Sequence, residues 1–548
     1  MKSGIKVITL YIAAVLVYSF WIHYFTIPVH LEVDEELYIS MAKSFHYTGR
    51  FMHEGNVLNY SCVLYSMLLS LAYYFYSPET IMFKMRLIGT VVMLSSVFPI
   101  YLLGKKILNN EKKALIVSAL FCILPSAANV AYCMQEVLCY PLFLWIVYMI
   151  YREMDKTKLS RITVEFWGIA ILGTICYFVK TYMIFVPVVY FILVALDTIE
   201  KRDRHGILKL LLYVSVCAGI YVLGKNFITY CNQGAQGSNH YASQFSNLFP
   251  ITMKTFAAAV SCSMIYLISL LFYWGILPIL LPAYNYRKYS RQDRHMIVFL
   301  GVSLAVLIGE IVISIVLTEE GSVLIPHKVL YRYFQILEIP ILLMFLKGLE
   351  NYVMPKWIWS CYLTVLGGLT LYYFLIGKNQ RTAIMDAPIF LLMENINRFV
   401  IPHFNVLVCI LSVGVILGAY VLKKRRIISD YVNAFLRLSL VFVVLFWIIN
   451  MFQLPYYTNI IADGKNIEKG AVELEKYYED NRDRYETVYF VDINNHGYER
   501  ALYAYFPVDI INISNKQVAN EIGDKDLTVK WSEKEKRYMV VNTAFEGR

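Results

Sequence analysis

Apolar residues occur along this chain in long unbroken runs, separated by short polar stretches rich in lysine and arginine. The first run extends from Ile5 to Ile27, just after Lys2 and Lys6. It is longer than the apolar core of a signal peptide and no small-residue cleavage site follows. It is therefore expected to persist as a first helix with its N-terminus in the cytoplasm. Further runs fall near 61–77, 87–104, 114–131, 137–151, 163–180, 182–198, 207–224, 256–283, 296–317, 329–347, 357–376, 400–422 and 433–453. Crossing a bilayer takes about 20 apolar residues, so the pattern predicts a polytopic α-helical membrane protein.

The basic clusters decide which runs cross, because lysine and arginine are retained on the cytoplasmic side. The strongest are Lys105-Lys106 with Lys112-Lys113, Arg152 to Arg161, Lys201 to Arg204, Arg287 to Arg294, and Lys423 to Arg426. If every run crossed, all five would lie outside. If 61–77 instead lies along the membrane surface, all five lie inside, which leaves about 13 crossings. The outer segments are then 28–85, the turn at Gln135-Glu136, a turn near Lys180, 225–255, 318–328 and 377–399. The last contains an amphipathic piece, 388–399, suited to the interface plane.

The pattern changes after Phe452. Residues 454–548 are charged and read as a small extracytoplasmic α/β domain following a transmembrane domain of residues 1–453. Within it, 486–492, 509–513 and 537–541 read as strands and 500–505 as helix.

Composition agrees with a lipid-covered chain. Of 548 residues 58% are hydrophobic and only 16% charged, against roughly 25% charged in soluble proteins. The net charge of +10 would suggest nucleic acid in a soluble protein. Here it resides in topology-setting loops, and no nucleic-acid partner is expected. The ten cysteines lie mostly inside apolar runs, without metal-ligand spacing, so neither a disulfide framework nor a zinc site is indicated. No phosphate-binding loop, dinucleotide fingerprint, zinc-protease motif or nucleophile elbow occurs in a fitting context. ATP-driven transport, nicotinamide chemistry and zinc proteolysis lose their support.

Three groups of polar residues fall at outer ends of crossings. The acids Glu32, Asp34, Glu35 and Glu36 follow the first helix. They suit the N-terminal turn of a short helix over 35–47, and equally a general base that removes a proton from an acceptor hydroxyl. Glu136 sits in the turn before Pro141. It is either an interfacial cap or a group that orients an acceptor, or holds a divalent metal together with Asp34. The cations are Lys180, His327, Lys328 and Arg332, the last followed by Tyr333. Lysines there can snorkel to headgroups. An arginine flanked by aromatics at the start of a crossing fits better as a partner for a phosphate.

Taken together these positions resemble the GT-C membrane glycosyltransferases, particularly the dolichyl-phosphate-mannose protein mannosyltransferases and the bacterial lipid A aminoarabinose transferases. The matching pieces are Asp34-Glu35-x-x-Tyr38, the helix from Arg86-Leu-Ile-Gly89 to Tyr101-Leu-Leu-Gly104-Lys-Lys106, Leu124-Pro125, the turn from Glu136 to Pro141, Lys180, and Arg332-Tyr333. They cover roughly residues 5–350. The resemblance implies a GT-C fold with surface-lying helices in the first outer loop, and inverting transfer of a sugar from a polyprenyl-phosphate donor. It gives Asp34 the role of catalytic base beside Glu35, and implies a multi-pass plasma-membrane location in a bacterium, because the lumenal insert of the mannosyltransferases is missing. Many members carry Lys-Pro-Pro or Tyr-Pro-Pro after the first-loop helix, where this chain has Asn59-Tyr60-Ser61. That departure moves the expected phosphate contacts to Lys180, His327, Arg332 and Tyr333.

The expectation is thus a glycosyltransferase whose partners are a lipid-linked sugar donor, a lipid, glycan or protein acceptor, and membrane lipids. No cofactor is required beyond a possible divalent metal. The rival is a transporter or flippase for a lipid-linked sugar. Against it, the runs show no paired Gly/Pro-broken helices, and the charges gather on one side rather than at the midplane. A polysaccharide polymerase or ligase would share the lipid-linked substrate without needing the Asp34-Glu35 pattern.

Overall fold

The computed structural model describes residues 2–25, 33–53, 56–154, 162–202, 204–233, 252–274, 277–313, 330–351, 454–485, 487–491, 502, 505–506, 510–513, 526–532 and 537–540. The apolar runs at 357–376, 400–422 and 433–453 lie outside these residues, as do Glu32, His327 and Lys328.

The chain starts with helix α1 (Lys2–Phe25), and α2 (Val33–Thr48) carries the first-loop acids in its first turn. Gly49, at φ +70, ends α2 in the left-handed region that a residue without Cβ enters freely. A two-residue hairpin follows, β1 (Met52–His53) against β2 (Asn56–Val57). The run predicted near 61–77 forms α3 (Leu64–Leu69) and a 3-10 turn, Ser70–Phe75. These twelve residues reach about 20 Å, short of the roughly 30 Å hydrocarbon core. That length fits a surface-lying segment.

Seven helical segments among the described residues are long and apolar enough to cross a membrane: Gly4–Tyr24, Pro78–Leu108, Glu136–Met154, Thr181–Lys201, Arg204–Cys231, Met253–Leu271 and Arg291–Ile311. Three of the predicted crossings take a different form; the run at 163–180 gives only a 14-residue helix, Val164–Tyr177. The run at 114–131 is α6 (Glu111–Phe121) followed by a 3-10 segment, Pro125–Ala131. Proline lacks the N–H and disfavours the helical state of the residue before it, so the α-helix stops at this point. The run at 329–347 becomes helical in the α sense only at α14 (Glu338–Asn351), after 3-10 turns at Tyr331–Tyr333 and Gln335–Leu337. The remaining helices are α4 (Ile81–Leu94), α5 (Val97–Leu108), α7 (Glu136–Met154), α8 (Val164–Tyr177), α9 (Phe185–Lys201), α10 (Arg204–Cys231), α11 (Met253–Trp274), α12 (Leu277–Tyr284) and α13 (Arg291–Ile311).

The turn between α5 and α6 shows how local chemistry sets packing. Asn109 takes a left-handed φ of 50°, and the Asn110 side chain caps α6 by accepting from the N–H groups of Lys112 and Lys113 at 2.9 and 3.2 Å. The two helices then fold back at close range. A Cβ placed on Gly104 would meet Ala114 Cα and Cβ at 3.3 Å and Leu343 Cδ2 at 3.4 Å. Small residues drive such close helix approach where lipid removes the usual hydrophobic incentive.

Charged side chains form two layers, one at each end of the bundle, rather than gathering on one side as the sequence pattern suggested. At one end Lys209 and Glu153 pair at 2.5 Å with both side chains 1% exposed, and Tyr190 donates to the same carboxylate at 2.5 Å. Asp197 meets Lys201 at 2.6 Å and Arg291 at 2.9 Å, while Asp293 meets Lys347 at 2.6 Å. These pairs tie α7, α9, α10, α13 and α14 together. The opposite layer contains Glu136, at the other end of α7. Seventeen residues of helix separate Glu136 from Glu153, about 26 Å of rise and close to a hydrocarbon thickness.

In the C-terminal segment, α15 (Leu454–Asp480) precedes the strands β3 (Thr487–Val491), β4 (Ile510–Ile513), β5 (Asp526–Ser532) and β6 (Arg537–Val540). The sheet order is β4-β3-β5-β6, with β3 parallel to both neighbours and β5–β6 antiparallel. Both α15 and β5 are additions to the strands and helix read from the pattern. The segment docks on the first loop through Tyr76, which donates to Glu475 at 3.3 Å and bonds the Tyr505 carbonyl. Tyr505 in turn donates to Glu468 at 3.1 Å. Burial raises both carboxyls above the ordinary range.

Replacing Gly104 by valine should force α5 and α6 apart and lower stability by about 1–3 kcal/mol. Thermal unfolding of the purified protein in detergent reads the shift. Gly4→Ala, where no atom lies within 4 Å of the added carbon, should leave the midpoint in place.

Candidate functional site

Three consecutive acids occupy the first turn of α2, where the helix dipole favours negative charge. Successive helical residues point about 100° apart, so the three go to different places. Glu35 is fully buried and accepts a hydrogen bond from the Cys133 N–H at 2.6 Å, latching α2 to the turn before α7. Glu36 lies 3.6 Å from His53 Nε2. Asp34 alone keeps substantial exposure, its side chain 44% accessible, with Oδ2 3.4 Å from Arg332 Nη2. Beneath it Tyr38 is buried; burial first, then Tyr60 and the Asp34 charge, push its phenol well above the usual tyrosine range.

Glu136 opens α7 as a nearly inaccessible carboxylate. Its Oε1 pairs with Lys180 Nζ at 2.6 Å and stands 3.5 Å from Arg332 Nε. Burial works against the Lys180 ammonium, but the adjacent Glu136 charge outweighs it and holds the lysine above its ordinary range. Lys180 lies in the break between α8 and the 3-10 turn Thr181–Ile184. Arg332 lies in the 3-10 turn before α14. Tyr333 presents its ring to both cations, 5.1 Å from Lys180 Nζ and 5.2 Å from Arg332 Cζ, and packs on Tyr182 with centroids 4.7 Å apart.

The structure therefore brings Asp34, Glu136, Lys180, Arg332 and Tyr333 into one cluster, with Glu35 behind it; His327 lies outside the described residues. Arg332 bridges the two carboxylates, joining an exposed acid to a buried one. That geometry does not fit a divalent ion held by Asp34 and Glu136. A guanidinium already stands between them, Lys180 takes the buried acid, and a further cation would meet two fixed positive charges. Among the described residues no three His, Cys, Asp or Glu side chains converge as a metal-ligand set.

Several neighbours escaped the sequence reading. Gln135 donates to the Cys62 carbonyl at 3.0 Å, and Asn129 to Gln335 at 3.0 Å. Lys225 on α10 reaches Ser61 Oγ at 2.6 Å, so a cation does stand beside the segment that lacks the Lys-Pro-Pro pattern. One of these residues carried a usable signal: Gln335 lies three residues after Arg332, across consecutive 3-10 turns.

A polytopic chain with an acid-and-cation cluster where its helices begin defines a class of membrane protein rather than a soluble enzyme. Its overall architecture is shared with two solved structures of ArnT, a lipid A aminoarabinose transferase, from Cupriavidus metallidurans. The apo structure superposes with a TM-score of 0.57 at 12% identity, over 96% of this chain and 93% of that one. The structure bound to undecaprenyl phosphate gives 0.56 at 13% identity, over 99% of both chains. The similarity to archaeal oligosaccharyltransferase AglB from Archaeoglobus fulgidus, in complex with an inhibitory peptide and a dolichol-phosphate, is looser, with a TM-score of 0.42 at 10% identity. No protein-family model and no curated protein matches the sequence. The chain shares the fold of these ArnT structures, the GT-C fold.

Glu136→Gln should leave Lys180 buried without its anion, a loss of about 3–5 kcal/mol. The thermal midpoint in detergent should fall accordingly. Adding Lys180→Met should restore most of it, since a buried pair replaced by apolar groups is often neutral. A double variant as unstable as Glu136→Gln alone would contradict this account of the pair.

Proposed function

We propose that this protein is a membrane glycosyltransferase that moves a sugar from a polyprenyl-phosphate-linked donor to an acceptor outside the cytoplasm, with inversion. The observation that carries the reading is the arrangement around Arg332: an accessible carboxylate, Asp34, on one side, and a buried ion pair, Glu136 with Lys180, on the other. Support comes also from the ArnT structure of the same fold, which holds undecaprenyl phosphate.

In this reading Asp34 is the general base. It takes the proton from an acceptor hydroxyl as that oxygen attacks the anomeric carbon of the donor. The bond from the anomeric carbon to the phosphate oxygen breaks, and its electron pair leaves on the polyprenyl phosphate. Arg332 and Lys180 supply positive charge where the departing phosphate gains negative charge. Glu136, enclosed by both cations, acts as the positioning residue that keeps them in place. Glu35, spent on the Cys133 N–H, holds the α2 turn at the correct height. Sidedness follows the positive-inside argument, with the Asp34 layer and the C-terminal segment outside and the Arg291–Lys209 layer inside.

A transporter reading asks for charge or broken helices near the midplane. The paired charges described above lie instead in layers at the two ends of the bundle.

In membranes at matched expression, Asp34→Asn should lower sugar transfer from a polyprenyl-phosphate donor by about 100-fold to 10,000-fold. Binding of undecaprenyl phosphate itself should change little. Transfer that survives in the variant would move the base elsewhere. Net movement of the intact lipid-linked sugar across vesicles, without transfer, would favour the flippase.

A further inference from the structure

Helix α10 carries two lysines with different surroundings. Lys209 lies in the layer of Glu153 and pairs with it at 2.5 Å. Sixteen residues later, about 24 Å along the helix, Lys225 reaches the layer of Glu136. It stands on the inward stripe of α10, where Tyr221, Gly224, Lys225 and Ile228 recur at helical spacing. Tyr221 stacks on Phe178 with ring centroids 6.0 Å apart, and Ile228 is buried. Gly224 lets the helix lie against Phe178, since an added Cβ would run into that ring. Val222 and Leu223 are exposed on the side left to lipid.

Lys225 Nζ bonds the Ser61 hydroxyl at 2.6 Å, and among the described residues it meets no carboxylate. Lys180, Lys201, Lys209 and Lys347 each do, at 2.5–2.6 Å. The outer segment that follows, 225–255, contains neither aspartate nor glutamate. A cation directed inward onto a neutral partner keeps its charge, and its other N–H donors, for an anion from outside the chain. The neighbours show which site that anion would join. Cys62, next to Ser61, accepts from Gln135 at 3.0 Å, and Gln135 precedes Glu136. The Leu64 N–H donates to the Phe178 carbonyl at 3.1 Å, two residues before Lys180. The Ser61–Cys62 step thus links Lys225 to the Glu136–Lys180 pair, and both ammonium charges act on the Cys62 thiol. Lys180 is enclosed, whereas Lys225 and Ser61 are half-buried and keep an open side.

We infer that Lys225, held by the Ser61 hydroxyl, is a phosphate-docking site at the lipid-facing edge of the ion cluster, and that its occupant is the phosphate of the polyprenyl carrier. An amphiphile with one anionic end fits both features of this place: the ammonium meets the phosphate, and the exposed apolar side of α10 meets the chain. The inference rests on the transferase reading above and adds a third cation, from a third helix, to the same site. A bulk phospholipid headgroup presents the same chemistry and is the rival occupant.

The test is equilibrium binding to the purified full-length protein in phosphatidylcholine nanodiscs. The probes are undecaprenyl phosphate and undecaprenol, which lacks the phosphate. Lys225→Met should weaken undecaprenyl phosphate about tenfold and leave undecaprenol unchanged, while Lys225→Arg should keep most of the affinity. Equal losses for both probes, or no loss for the phosphate, would overturn the site. So would a loss in Lys225→Arg as large as in Lys225→Met, because shape rather than charge would then hold the probe. The ratio between wild type and Lys225→Met should persist in phosphatidylglycerol nanodiscs. A ratio that collapses there would assign the lysine to bulk headgroups and overturn the carrier as occupant. If Lys225→Met does not accumulate, Lys225→Gln, which keeps a polar chain without the charge, decides the question. Carrier binding that depends on Lys225, in a protein that transfers no sugar, would sink the transferase reading and leave the docking site standing. Transfer by wild type, with carrier binding unchanged in Lys225→Met, would do the opposite.

Discussion

The carboxylate of Glu136 is enclosed by two cations at the start of a membrane helix, and the arrangement of this end of the protein follows from that enclosure. An acid at that depth is tolerated only when paired and bonded. Lys180 supplies the pair at 2.6 Å and Arg332 a second contact at 3.5 Å. Because the three residues come from breaks before three different helices, the need to neutralise one charge fixes how those helices converge. Arg332 then has one side left for Asp34. An accessible acid is thereby held against a rigid positive group without being buried itself.

The opposite end of the bundle solves the same problem without leaving an accessible acid in the pairs described. Glu153, Asp197 and Asp293 each meet a cation at 2.5 to 2.6 Å, and their partners lie on neighbouring helices. With the two layers about one hydrocarbon thickness apart, the space between them is filled by apolar packing, while the Gly104–Ala114 approach closes α5 on α6 beside the Lys105–Lys113 turn. Ion pairs and small-residue contacts are two answers to one constraint. Lipid offers neither a partner for buried charge nor a hydrophobic drive for helix association.

The helical runs were legible because a spanning segment must satisfy its own backbone and face lipid, which leaves a long apolar signal in the sequence. The reading of 61–77 as a run that does not cross had a different source: the basic clusters share one side only on that reading, and the segment forms a short helix and a 3-10 turn. The break at Leu124-Pro125 was present in the residues, but the hydropathy run concealed it. Arg332-Tyr333 was placed at the start of a crossing, yet it sits in 3-10 turns before the helix. At the site, Asp34, Glu136, Lys180 and Arg332 stood out as charges beside apolar runs. Asn129 did not, because a neutral polar residue inside an apolar run leaves no comparable mark.

Chain order alone determined that this is a polytopic membrane protein with acids after its first helix and cations at later helix ends. Those features depend on local hydropathy and charge, which a linear pattern carries in full. Which acid stays accessible, and which is consumed, was decided only in three dimensions. Asp34 and Glu35 are adjacent and chemically alike, but a rotation of about 100° sends one to Arg332 and the other to the Cys133 N–H. Side-chain direction, and the partner that waits there, come from how distant segments pack, and no local pattern encodes that.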